Sequence, residues 1–154
     1  MKIQGKVTTG AMSGVGVIEK YKSRIKAILG FEPFVGTLDV TIEEEIDIEL
    51  YATKRIEHIL LDGKPHINAY FAPVVLIVHS DEGEKEEPCW AFCLPNAYDK
   101  KTIELISPNK LRDRYSLKDG DIVELTFFTK KEKKKKPVTK LVKKLIKKES
   151  RISR

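Results

Sequence analysis

Cysteine is scarce in this chain, and no long apolar run occurs in it. The two cysteines, Cys89 and Cys93, lie four apart in a strand-like segment. That spacing puts them on one face about 13 Å apart if extended, beyond disulfide reach. With no third or fourth ligand near them they do not form a zinc pattern either, and they are expected as core or half-buried thiols in a reducing compartment. The longest apolar stretch, Ala69 to Val78, is far too short to span a bilayer. Met1 to Gly10 alternates polar and apolar residues, so no secretory signal is expected there and the expected location is cytoplasmic. The phosphate-binding Gly-Lys-Ser/Thr of a Walker loop is missing, and so is the Gly-x-Gly-x-x-Gly of kinases and dinucleotide folds.

What is there suffices for one folded domain. The 154 residues are 41% hydrophobic and 34% charged, enough to bury a core without metal or disulfide staples. Charge is divided unevenly. Residues 129–154 hold 11 Lys and 2 Arg against Glu132 and Glu149, a net of +11, which leaves the other 128 residues at −5 within a total of +6. A body of that sign does not have the whole-domain footprint of a nucleic-acid binder.

Lys2 to Thr9 alternates around Ile3 and Val7 and predicts a first strand, running into the glycine-rich loop Gly10-Ala11-Met12-Ser13-Gly14-Val15-Gly16. Tyr21, Ile25, Ile28 and Leu29 recur at helical spacing, predicting a helix over Glu19 to Leu29 with Gly30 as its C-cap. A turn through Pro33 leads to a strand at Thr37 to Ile42, followed by the solvated Glu43-Glu44-Glu45. Further strands are expected at Ile56 to Leu61, Pro65 to Tyr70, Pro73 to Val78, Pro88 to Leu94, Thr102 to Ile106 and Ile122 to Phe128. Asp62-Gly63 signals a hairpin, and Ser80 to Glu87 reads as an exposed acidic turn. Ser107-Pro108 reads as an N-cap and first position, giving a short helix over Asn109 to Tyr115. The connections are too short for parallel crossovers, so the expected fold is mainly β: a small, largely antiparallel barrel with two short helices over residues 1–128.

Residues 129–154 form a separate extension. After Pro137, Val138, Leu141, Val142, Leu145 and Ile146 fall at intervals of three to four between lysines, which predicts a basic amphipathic helix of about four turns. Its apolar stripe needs a cover and no aromatic platform accompanies it, so packing on the barrel or on a second subunit comes first. Binding to nucleic acid or an anionic membrane surface is the other reading.

Several residues offer chemistry. The loop Gly10 to Gly16 could present successive backbone N–H groups to phosphate, although three glycines in seven residues also occur in ordinary hairpins. Thr37 and Asp39 fall on one side of a strand and together offer hard oxygen ligands of the kind Mg2+ takes, the plain alternative being a surface pair on the wet side. Alternation turns Glu104 outward with Thr102 and Ile106, which reads as a solvated carboxylate. Asn109, Lys110, Leu111 and Arg112 open the short helix, where a backbone N-terminus and two cations could meet phosphate, or where a solvated face could simply oppose Leu111 and Tyr115. His58, His66 and His79 are scattered over strands in no recognisable triad.

The chain resembles the archaeal CTP-dependent riboflavin kinase family, a cradle-loop barrel, over about residues 3–128. The match runs through the glycine-rich loop and the stretch Ile28-Leu29-Gly30-Phe31-Glu32-Pro33-Phe34, then Gly36-Thr37-Leu38-Asp39. It resumes in Glu104-Leu105-Ile106-Ser107-Pro108-Asn109-Lys110-Leu111-Arg112 and in Leu117 to Asp121. The resemblance implies a phosphotransferase making FMN from riboflavin with CTP and Mg2+. It implies that Gly10, Ala11, Met12, Ser13, Gly14 and Val15, with Asn109, Lys110, Leu111 and Arg112, hold CTP. It further implies that Thr37 and Asp39 are the catalytic metal ligands, that Glu104 contacts the flavin, and that Tyr98 neighbours it. The family commonly has Asn where this chain has Asp39, and the segment Asn96 to Lys101 departs from the family pattern. The basic tail lies outside the resemblance. Two other readings are a barrel that binds nucleic acid through the tail and a flavin carrier that transfers no phosphate.

Overall fold

The computed structural model describes residues 1–9, 15–60, 67–95 and 99–129. Among the described residues seven strands make one antiparallel sheet: β1 (Lys2–Thr8), β2 (Leu38–Thr41), β3 (Lys54–Ile59), β4 (Ile67–Ser80), β5 (Gly83–Cys93), β6 (Thr102–Ile106) and β7 (Ile122–Phe127). Following the pairings leads from β4 through β5, β6, β2, β1 and β7 and back to β4, with β3 added on the β4 edge. The mainly β, largely antiparallel fold expected from the sequence is the one observed.

Strand lengths differ from expectation for a definite reason. Pro73 looks like a break between two strands, yet β4 runs straight through it. On that edge of β4 the β3 ladder ends at Phe71 and the β7 ladder begins at Val74, so the residue without an N–H sits in the gap between two partners. Likewise, Ser80 to Glu87 is no open turn. The chain reverses at Asp81-Glu82 and Gly83 to Glu87 already belong to β5; Glu84 and Glu86 are exposed on a solvated rim, whereas Glu87 is buried and accepts a bond from the Tyr115 hydroxyl. In β3 a bulge around His58, whose φ is 60°, lets Ile56 and Ile59 both face the helix-covered core although they are three apart.

The helix expected over Glu19 to Leu29 comes in two pieces, α1 (Val15–Lys20) and α2 (Lys22–Leu29). Tyr21 bends away from helical geometry, but the bonds from its N–H to Val17 O and from Ile25 N–H to Tyr21 O carry the ladder across. Gly30 ends α2 in the left-handed region at φ 90°, donating to Lys26 O as expected of a glycine cap. A one-turn 3-10 helix, Ile48–Tyr51, starts where Asp47 accepts a bond from the Glu49 N–H. The short helix α3 (Leu111–Arg114) starts later than Ser107-Pro108 suggested; Ser107 Oγ instead accepts from the Asn109 N–H, and Lys110 is the N-cap. The Asp62-Gly63 hairpin and the tail helix lie outside the described residues.

Apolar clusters lie on both faces of the strand ring. Inside lie Val7, Val40, Val74, Leu76, Ala91, Leu105, Leu125 and Phe127, together with Cys89 and Cys93, which are buried and free of any disulfide. Burial pushes the Cys89 thiol well above its ordinary pKa, consistent with an inert core side chain. Outside, Val17, Ile18, Ile25 and Leu29 of the helices pack on Phe71, Trp90, Phe92 and Ile106. No helix among the described residues is long and apolar enough to cross a membrane.

Gly5 marks the tightest approach inside the ring. A Cβ there would stand 2.3 Å from Val40 Cγ1 and 3.1 Å from Thr41 O, a contact neither the fully buried Val40 nor the β2 backbone can relieve cheaply. Gly5→Ala is therefore expected to destabilise the protein by about 1–3 kcal/mol, the usual range for overpacking a dense core. A melting temperature equal to wild type would show that β1 and β2 can part at this point.

Candidate functional site

Pairing order builds the site. Because β6, β2 and β1 are antiparallel neighbours, the end of β6, the start of β2 and the end of β1 lie at one end of the ring. Three stretches far apart in sequence thus meet: the exit from β1 at Thr8-Thr9, the approach to β2 through Phe34 to Thr37, and the segment Ser107 to Arg112 after β6. A bond from the Phe34 N–H to Ser107 O, 2.9 Å long, ties the second to the third. Between them opens a cavity of about 400 Å3 lined also by Val15, Asp39 and Leu111.

The oxygen groups at its base are ordered by the register. Thr8 pairs with Asp39 and Asp39 with Glu104, so the three form one row across β1, β2 and β6. Thr37 Oγ1 lies 2.8 Å from Asp39 Oδ1, to which it donates, and 3.4 Å from Glu104 Oε1. Asp39 and Glu104 are each only 4% exposed. Alternation had Glu104 facing outward from the ring, and so it does, but outward is not solvated: neighbouring Ile106 on the same face is fully buried against the helix pair. The reading of Glu104 as a solvated carboxylate is corrected by that cover, and the same holds for the alternative that put Asp39 on a wet face.

Arg112 is engaged in a way sequence spacing did not suggest. Its Nη2 donates to Thr8 O at 2.7 Å, to Thr9 Oγ1 at 2.9 Å and to Asp119 Oδ1 at 2.6 Å. Thr9 Oγ1 lies 2.7 and 2.8 Å from the two Asp119 carboxylate oxygens, within bonding reach of both. The Thr9 hydroxyl and the Arg112 guanidinium together hold the Asp119 carboxyl below its ordinary pKa. A latch of four residues thus closes over the point where β1 leaves the sheet. Nothing in one sequence says that the Asp119 carboxylate meets residues 9 and 112. Lys110 lines the cavity and lies 3.8 Å from Asp113. Asn109 lines it too, ahead of α3 and not within it.

Of the residues singled out from sequence, Thr37, Asp39 and Glu104 come together, and Val15, Asn109, Lys110, Leu111 and Arg112 line the adjoining cavity. Gly10 to Gly14 and Tyr98 lie outside the described residues. Neither His58 nor His79 joins the cavity lining: His79 sits at the far end of β4 with Glu84 and Glu124, and His58 lies in the β3 bulge, while His66 lies outside the described residues. Among the described residues no group of three His, Cys, Asp or Glu could hold a metal by itself. The Thr37 hydroxyl and the Asp39 carboxylate nevertheless fit Mg2+, which takes oxygen donors and keeps places for water and substrate phosphate.

The fold and site define a small antiparallel β protein with an open cavity at the meeting of three strand ends, a shape suited to a small molecule. The family model CTP-dep_RFKase, described as Domain of unknown function DUF120, matches residues 7–127, and this chain belongs to that family, the CTP-dependent riboflavin kinases. The riboflavin kinase of Methanococcus vannielii is 35% identical over 130 residues, covering 81% of this chain and 96% of that protein. That of Sulfurisphaera tokodaii is 32% identical over 133 residues, covering 83% and 96%. The riboflavin kinase of Archaeoglobus fulgidus is 33% identical over 135 residues, which is 81% of this chain but 54% of that protein.

Proposed function

We propose that residues 1–128 form a catalytic unit that transfers the γ-phosphoryl group of CTP to the ribityl 5′-hydroxyl of riboflavin, giving FMN and CDP. The observation that carries this reading is the oxygen cluster of Thr37 with the buried Asp39 and Glu104, of which Thr37 and Asp39 line a cavity fringed by Lys110 and Arg112, in a chain of this family. Cations at the rim and oxygen donors at the floor are the arrangement a magnesium-bound triphosphate needs.

In this reading the residues Gly10 to Val15 and Asn109 to Arg112 hold CTP, while Glu104 accepts a hydrogen bond from the flavin and Tyr98 lies beside it. Thr37 and Asp39 hold Mg2+. When bound, the ion would offset negative charge on the phosphate oxygens. Asp39 keeps Thr37 oriented through their 2.8 Å bond, and the strand register keeps Glu104 beside both. The 5′-oxygen attacks phosphorus in line, the bond to the CDP oxygen breaks, and the hydroxyl proton leaves to water. Positioning of the two substrates and charge stabilisation from Lys110 supply most of the acceleration. A carboxylate held on a metal is a weak base, so Asp39 acts through the ion and Thr37 and not by taking the proton.

The test is turnover of riboflavin with CTP and with ATP, each with Mg2+, side by side. FMN and CDP should form with CTP, and little should form with ATP. Binding of riboflavin without any FMN would favour a flavin carrier instead, and absence of both riboflavin and cytidine nucleotide binding would overturn the proposal.

A further inference from the structure

Glu87 is a charged side chain in a buried place outside the cavity. It is 8% exposed, and since Cys89, Ala91 and Cys93 of the unbroken β5 ladder face the ring interior, Glu87 two residues earlier faces it too. Trp90 pairs with Ile106, so β5 runs back toward Glu87 alongside the segment that leaves β6. Glu87 therefore stands at the same end of the ring as the cavity. Two side chains from the end of α3 meet its carboxylate: the Tyr115 hydroxyl donates to Oε2 at 2.8 Å, and Arg114 Nε lies 3.7 Å from Oε1. Burial, with the bond to Glu87, holds the Tyr115 phenol above its ordinary pKa, so it stays a donor across neutral pH. The other side of α3 is held on β1, where Arg112 reaches Thr8 O and Thr9 Oγ1. β1 and β5 are three strands apart in either direction round the ring, so α3 is pinned across its mouth from opposite sides.

We infer that Glu87 is a positioning residue for the nucleotide: through Tyr115 it fixes α3, and with it Asn109 to Arg112, in the geometry that takes CTP, an assignment that rests on the reading above in which this segment holds CTP. A helix of one turn does not keep its own shape in water, so what it is tied to sets its place. Leu111 and Leu117 sink into the ring core and hold α3 down, but apolar contact has no direction. The hydrogen bonds at its two ends do have one, and they set its rotation over the mouth. Backbone bonds from the Arg114 N–H to Lys110 O, 3.0 Å, and from the Tyr115 N–H to Leu111 O, 3.1 Å, pass any shift of Tyr115 to two residues that line the cavity. Neither Glu87 nor Tyr115 lines it, so both act through α3. Arg114 is half-exposed and its contact is long, so it contributes less than the Tyr115 bond.

Titrations of the full chain with CTP and with riboflavin, together with steady-state kinetics and melting curves, test this. Tyr115→Phe deletes one oxygen and keeps the ring. It should raise the dissociation constant and the KM for CTP by about 3–10-fold, the size of one lost hydrogen bond, with kcat and riboflavin affinity within about twofold of wild type. Glu87→Ala should show the same split. Glu87→Gln, whose amide oxygen still accepts from Tyr115, should recover most of the CTP affinity. Unchanged CTP affinity in Tyr115→Phe and Glu87→Ala would overturn the inference. So would a Gln variant no better than Ala, or a fall of kcat, riboflavin binding and melting temperature together with CTP binding, which marks general loosening. A wild type that binds no CTP would overturn the proposed function and this inference with it. Failure of Glu87 alone looks different, with wild type and variants all binding CTP equally well.

Discussion

Asp39→Ala is expected to lower FMN formation by about 10²–10³-fold, the loss typical of removing one preorganised charge-stabilising group. The variant removes a carboxylate buried beside Glu104 and leaves the Thr37 hydroxyl without its 2.8 Å acceptor. Both proposed metal donors suffer at once, so the fall should appear in kcat and in the Mg2+ concentration needed for half-maximal rate. Thr37→Ala should show the same pair of effects, because it deletes the other donor. Asp39→Asn makes the sharper comparison. It keeps one ligand oxygen and takes one negative charge out of a row where Asp39 faces Glu104 directly across the strand pair. Most activity should remain, with a weaker response to Mg2+. Like charges placed opposite each other in a sheet are unfavourable, so the metal-free Asn variant should also melt somewhat above wild type. Full activity in Asp39→Ala would remove this cluster from the reaction.

The second large effect is expected at Arg112. One guanidinium nitrogen serves Thr8 O, Thr9 Oγ1 and Asp119 Oδ1, and these bonds fix the backbone just where β1 gives way to residues 10–14. Arg112→Ala should raise the KM for CTP by about 10–100-fold, more than it lowers kcat, because binding geometry is lost while the oxygen floor stays intact. Arg112→Lys should restore little, since its nitrogen sits one bond nearer the backbone than Nη2 and falls short of all three acceptors. Asp119→Asn should copy the defect in part. The pH dependence follows from the depressed Asp119 pKa. A carboxylate whose folded-state value lies below its ordinary 3.8 keeps its contribution at every pH above that value and loses it as pH falls through the lowered one. The latch is therefore complete across neutral pH and opens only in strong acid. A KM for CTP that rises between pH 7 and 5 in wild type but not in Asp119→Asn would contradict this role.

Much of the fold was legible because it depends on local periodicity. Five-residue alternation located β6 at its observed bounds, and Gly30 was readable as the end of α2 because only a residue tolerant of positive φ suits that position. Where the reading failed, the cause was a partner the chain could not announce. Pro73 breaks a strand unless two different neighbours end and begin beside it. The acidic Gly83 to Glu87 looks like a loop unless β4 extends far enough to pair with it. Glu104 looks solvated unless a helix pair covers the outer face near its strand.

The site divides in the same way. The sequence by itself determined which oxygen and cation chemistry is present, how Thr37 and Asp39 share one side of a strand, and that the charge is split between an acidic body and a basic extension. These are properties of residue type and of the two-residue period of an extended chain. Only the tertiary structure decided that Glu104 joins that pair, that Arg112 is latched to Thr9 and Asp119, and that the three strand ends enclose one cavity. The physical reason is the pairing order β6-β2-β1. Hydrogen bonding between strands distant in sequence sets which residues stand opposite one another, and that register is a property of the whole sheet and of no single strand.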